Sequence, residues 1–161
     1  MKRAWLFLIG FLLLMTPGAE ARPQRIGETV PAIRLTSLSG KPVNTANLKG
    51  KTVVLYFWND GCGCTEQLVN LRPFINGQKN RPFAFITINE GQPKERVAAF
   101  IRENALPYEV LLDVGATTGR KDFGIKVLPT IFIIDKGGIL REKLIGVVDS
   151  KKLETIIARY L

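Results

Sequence analysis

The chain is 161 residues long, 46% apolar, and carries a net charge of +9 with no histidine. That length and apolar share suit one compact domain with its own core. The missing histidine excludes Ser-His and Cys-His triads, HExxH zinc sites, His-ligated copper and CxxCH haem attachment, and no glycine-rich phosphate loop is present.

The first residues read as a secretory signal peptide over 1–21. Lys2 and Arg3 precede the apolar run Trp5 to Met15, and Ala19-Glu20-Ala21 fits an A-x-A cleavage site. A membrane-spanning helix wants roughly 20 apolar residues, so an uncleaved anchor is the competing reading. The mature domain then covers 22–161, exported and periplasmic. Losing Lys2, Arg3 and Glu20 leaves a charge of +8 with no long basic run. Such a balance allows weak association with an anionic membrane surface but does not point to nucleic acid.

Residues 22–30 form a lead-in. Ala32 to Leu35 and a stretch around Val43 flank the turn signal Ser39-Gly40-Lys41-Pro42. Thr52 to Trp58 is apolar without alternation, as in a strand buried on both faces. Leu68, Leu71, Phe74 and Ile75 recur at helical spacing, and Pro73 must kink or end that helix. Phe83 to Ile88 reads as a second buried strand. Pro93 opens a helix with Val97, Phe100 and Ile101 on one face. Tyr108 to Leu112 is a third strand, and Ala116 to Phe123 a short helix ended by Gly124. Thr130 to Ile134 turns at Asp135-Lys136-Gly137-Gly138 into Ile139 to Ile145, and a last helix runs from Ser150 to Tyr160. This order predicts an α/β three-layer sandwich with a central mixed sheet and a closing antiparallel hairpin.

The only two cysteines sit one residue apart, in Phe57-Trp58-Asn59-Asp60-Gly61-Cys62-Gly63-Cys64-Thr65-Glu66, between the first buried strand and a helix. A bridge this local closes almost no loop and is a poor structural staple, whereas two adjacent thiols suit redox chemistry. Residues i and i+2 reach bonding distance only through a tight bend, which Gly63 permits. A tense bond of this kind would give an oxidant or isomerase character, while Asp60 and Glu66 act against thiolate formation.

Val53-Val54-Leu55-Tyr56-Phe57-Trp58 followed by Cys62 resembles the active-site strand of thioredoxin-fold proteins, especially exported thiol–disulfide oxidoreductases of the TlpA/ResA type. Val127-Leu128-Pro129-Thr130 resembles that family's cis-proline loop. Leu111-Leu112-Asp113, Phe123-Gly124-Ile125 and Phe132-Ile133-Ile134-Asp135-Lys136-Gly137-Gly138 follow its downstream pattern in order. The family pattern is C-x-x-C with a large residue before the first cysteine; here the spacing is C-x-C and Gly61 holds that place.

The resemblance implies a thioredoxin-like three-layer sandwich with helices on both faces. Cys62 is the implied nucleophile and Cys64 the resolving thiol, with Pro129 shaping the site. Glu90 takes the place of the family's buried, proton-handling acid, with Gln92 as the competing position and a solvated loop carboxylate as the other reading of Glu90. Trp58, Gly61, Gly63, Leu128 and Thr130 are the expected substrate contacts, with a core aromatic ending the strand as the other reading of Trp58. The implied partners are protein thiols and disulfides plus an unidentified redox partner, with no cofactor and no metal; the oligomeric state is not indicated. Two alternatives stand beside this. Gly63-Cys64-Thr65 also resembles peroxiredoxin-like peroxidases, with Cys64 attacking peroxide, and two thiolates at C-x-C could hold Cu(I).

Overall fold

The computed structural model describes residues 23–161. The expected signal peptide, or anchor, lies outside the described residues. Among the described residues no helix is long and apolar enough to cross a membrane.

Seven strands form one mixed sheet. They are β1 (Arg34–Ser37), β2 (Pro42–Asn44), β3 (Thr52–Trp58), β4 (Phe83–Glu90), β5 (Glu109–Asp113), β6 (Thr130–Ile134) and β7 (Leu140–Ile145), in the order β2-β1-β5-β4-β3-β6-β7. The three central strands β5, β4 and β3 run parallel, and every other pairing is antiparallel. All seven β3 residues are buried, as the unbroken apolar run requires of a strand covered on both faces. Its side chains alternate: Val54, Tyr56 and Trp58 enter one cluster, while Val53, Leu55 and Phe57 enter the other.

The helices α1 (Thr65–Asn70), α2 (Arg72–Gly77), α3 (Lys94–Glu103) and α4 (Ser150–Ala158) all bury their apolar residues in the first cluster. The second face is covered by shorter pieces, a 3-10 turn at Thr45–Leu48 and a π-helical turn at Thr118–Asp122, with Phe123, Ile125 and Leu140 packed beneath. The three layers are therefore present, but unequal. Pro73 has the effect its chemistry demands. The helical stretch after the cysteines breaks at Leu71, and Pro73 sits in the first turn of α2, where no amide hydrogen is needed.

β4 runs two residues beyond the apolar run that announced it. Asn89 lies opposite Trp58 and Leu112, and Glu90 opposite Asp113. The helix expected over Ala116 to Phe123 is only the π-helical turn. It opens where the Asp113 carboxylate accepts from Thr118 N at 3.1 Å and Gly119 N at 2.8 Å.

Candidate redox site

At the C-terminal end of β3 the chain turns before entering α1. Asn59 Oδ1 accepts from Gly61 N at 3.0 Å, closing an Asx-type turn. Gly63 follows with φ +66°, a conformation that costs a side-chain-bearing residue energy and costs glycine little. Cys64 is the residue that precedes α1, and its carbonyl accepts from Leu68 N at 3.2 Å. This bend brings the two Cα atoms to 5.2 Å, and Cys62 and Cys64 form a disulfide.

The two cysteines are not equivalent. Cys62 is half-buried at the surface of the turn, whereas Cys64 has no exposed area and packs with Trp58 and Leu68. The Asn59 carbonyl oxygen lies 2.9 Å from Cys62 Sγ and 3.5 Å from Cys64 Sγ. A disulfide sulfur has no proton to give it; in the reduced pair that oxygen would accept from the thiol.

The Leu128–Pro129 peptide is cis. Thr130, the next residue, lies opposite Phe57, which puts the cis peptide beside the end of β3 that carries the cysteines. Pro129 is buried and its carbonyl accepts from Gly146 N at 2.8 Å. Among the described residues five large apolar side chains are exposed, and Val127, Ile145 and Val147 are three of them, all next to this loop. Sequence reading passed over them because a lone exposed valine or isoleucine is ordinary; only the β6–β7 pairing gathers them.

Some expected contacts are placed elsewhere. Trp58 has no exposed area and packs on the Phe100 ring at 5.2 Å, within the first cluster. Thr130 is 2% exposed, and its hydroxyl donates to Val127 O at 2.7 Å, which braces the loop. Gly61, Gly63 and Leu128 do reach the surface. Glu90 is buried, not a solvated loop carboxylate. Burial, reinforced by Asp113 and opposed by Arg120, pushes its carboxyl up to about 7. Its side chain faces the second cluster, against Gly119, while Cys64 belongs to the first. The structure does not bring Glu90 to the cysteine pair. Gln92, the competing position, turns instead to Asp60 and Asn89.

Two further polar side chains support the site. Tyr56 donates to Gln67 Oε1 at 2.6 Å, and Gln67 Nε2 donates to Val148 O. Burial, with Tyr108 nearby, holds the Tyr56 phenol well above its ordinary value, so it remains a donor. The pair ties α1 to the segment that follows β7. Among the described residues no three His, Cys, Asp or Glu side chains gather as a metal-holding set.

The family model described as AhpC/TSA family matches residues 26–143. A thiol-disulfide oxidoreductase ResA of Bacillus cereus is 30% identical over 147 residues, covering 91% of this chain and 84% of its own. The sporulation thiol-disulfide oxidoreductase A of Bacillus subtilis (strain 168) is 26% identical over 155 residues, covering 93% and 92%. Among solved structures, a thiol:disulfide interchange protein of the thioredoxin family from Chlorobium tepidum TLS aligns with a TM-score of 0.72 at 24% identity, covering 88% of this chain and 99% of its own; that likeness speaks to the fold.

Proposed function

The chain belongs to the AhpC/TSA family, and from that premise we propose an exported protein thiol–disulfide oxidoreductase that works through Cys62. Its oxidoreductase class follows from its relatives, the ResA protein and the sporulation oxidoreductase. The observation that carries the residue-level reading is the asymmetry of the pair: one sulfur at the surface, bonded to one with no exposed area, beside a cis-proline loop.

The chemistry balances as a two-electron exchange. With the pair reduced, the Cys62 thiolate attacks a substrate disulfide, one S–S bond forms as another breaks, and the departing sulfur takes a proton. The Cys64 thiolate then attacks Cys62 Sγ, which restores the intramolecular disulfide and releases the second substrate thiol. Two substrate thiols appear as two protein thiols are consumed, and the same steps in reverse oxidise a substrate. Gly61 and Gly63 flank Cys62 along the chain, and the loop of Leu128 and Pro129 is the surface along which an extended protein segment would lie.

A peroxidase working through Cys64 is not favoured, because that sulfur has no surface for peroxide to reach and is already bonded to Cys62. Export rests on Lys2, Arg3, the run Trp5 to Met15 and Ala19-Glu20-Ala21, which makes 22–161 the mature domain. Insulin reduction by the dithiothreitol-reduced domain tests the function: the wild type should accelerate chain separation over dithiothreitol alone, and Cys62→Ser should not. Equal rates for the two would refute it.

A further inference from the structure

We propose that Arg96 is a positioning residue for Cys62: by pairing with Asp60 it neutralises a carboxylate on the redox turn and keeps the thiolate form accessible at neutral pH. This deepens the assignment of Cys62 as the attacking thiol. Asp60 stands two residues before Cys62, and an unbalanced negative charge there disfavours thiolate. Both of its oxygens are engaged. Arg96 Nε donates to Oδ2 and Gln92 Nε2 donates to Oδ1.

The arrangement is built, not incidental. Gln92 Oε1 accepts from Asp60 N at 3.0 Å and from Asn89 Nδ2 at 2.7 Å, so one side chain clasps the main chain and side chain of Asp60 and is fixed from the end of β4. α3 then delivers Arg96 one turn beyond Gln92. The Arg96 side chain is 66% exposed, and an ion pair that open adds little to folding. What it does change is the charge beside the reactive sulfur. A small recess of about 240 Å³ lies between α3 and the turn, bordered by Trp58, Asp60, Gln92, Arg96, Phe100 and Glu103. The other charged groups beside the turn are Glu66 in the first turn of α1 and Glu103 on α3, both negative, and Lys126 is the charged residue that precedes the cis-proline loop in sequence. Leu128, Pro129 and Thr130 carry no charge.

The test is the alkylation of Cys62 by iodoacetamide in a Cys64→Ser background at pH 7 and low salt. A sulfur–carbon bond forms and iodide leaves, so the rate counts thiolate and needs no redox partner. Arg96→Ala should slow alkylation by about three- to tenfold and move the pH profile upward, as one uncompensated charge a few residues away implies at intermediate dielectric. Adding Asp60→Asn to Arg96→Ala should restore the rate to within about twofold, and Arg96→Lys should keep most of it. At 1 M salt the deficit of Arg96→Ala should shrink. An unchanged rate in Arg96→Ala overturns the proposal, and so does a double variant as slow as the single one, since that would mean a disturbed loop and not an exposed charge. Insulin reduction could fail altogether while these rates behave as stated, so the two readings fail separately.

Discussion

Glu90 is a carboxyl held where only its protonated form is comfortable. Burial and the neighbouring Asp113 keep the folded-state value at about 7, against an ordinary 4.5, with Arg120 opposing. The folded chain therefore holds a proton that the unfolded chain releases. That contribution to stability is fully present below about pH 4.5 and is lost as pH rises through about 7. Glu90→Gln, neutral throughout, should lose nothing over that window. Denaturant titrations at pH 5 and pH 8 should show the wild type losing roughly 1–3 kcal/mol more than the variant; parallel pH curves would contradict it. Gly119 is the matching constraint. A Cβ built there lies 1.8 Å from Glu90 Oε1, so Gly119→Ala should displace the carboxylate and cost about 1–2 kcal/mol in the same titration.

At the scale of elements, the redox turn is held from two sides. Gln92, ahead of α3, and Arg96 on α3 grip Asp60, while α1 is tied by Gln67 to Val148, two residues past Gly146, which follows β7 and donates to the Pro129 carbonyl. Gln67→Ala should leave the buried Tyr56 hydroxyl only its longer contact to Cys64 O at 3.5 Å, cost about 1–3 kcal/mol, and speed amide exchange at Gly146. The opposite face depends on aromatic packing. Phe57, Phe123 and Phe132 meet with centroids 5.3, 5.8 and 5.5 Å apart, and Phe123→Ala should cost about 3–5 kcal/mol in thermal or denaturant unfolding.

These elements show what was legible in the sequence. β3 and β6 were, because an unbroken apolar run between turn signals has few other solutions, and so was the helix break at Pro73. The end of β4 was not, since Asn89 and Glu90 look polar until Trp58, Leu112 and Asp113 are placed beside them. The cysteine pair could be read directly, being two thiols one residue apart. Its supports could not: Asp60 meets Gln92 and Arg96 across more than thirty residues, and no local pattern encodes such a contact. The burial of Trp58 and Thr130 was not legible for the same reason, because packing from α3 and from the turn before β6 decides which way they face.

For the whole molecule, the sheet sets where the cysteine pair stands. Seven strands and four helices hold the domain together without help from the disulfide, whose cysteines are only two positions apart. Reduction should therefore change the unfolding free energy by about 2 kcal/mol or less, a difference that denaturant titration of the two redox forms would expose. What the fold supplies is placement: one sulfur sealed against the core, its mate at the surface, and the cis-proline loop brought alongside by the β3–β6 pairing. The most direct measurement of that division of labour is covalent trapping. Reduced Cys64→Ser protein mixed with a disulfide-bonded substrate should yield a stable, dithiothreitol-sensitive adduct mapped to Cys62 by mass spectrometry, and Cys62→Ser should yield almost none. Adducts forming as readily through Cys64 alone would contradict the assignment of Cys62 as the attacking sulfur.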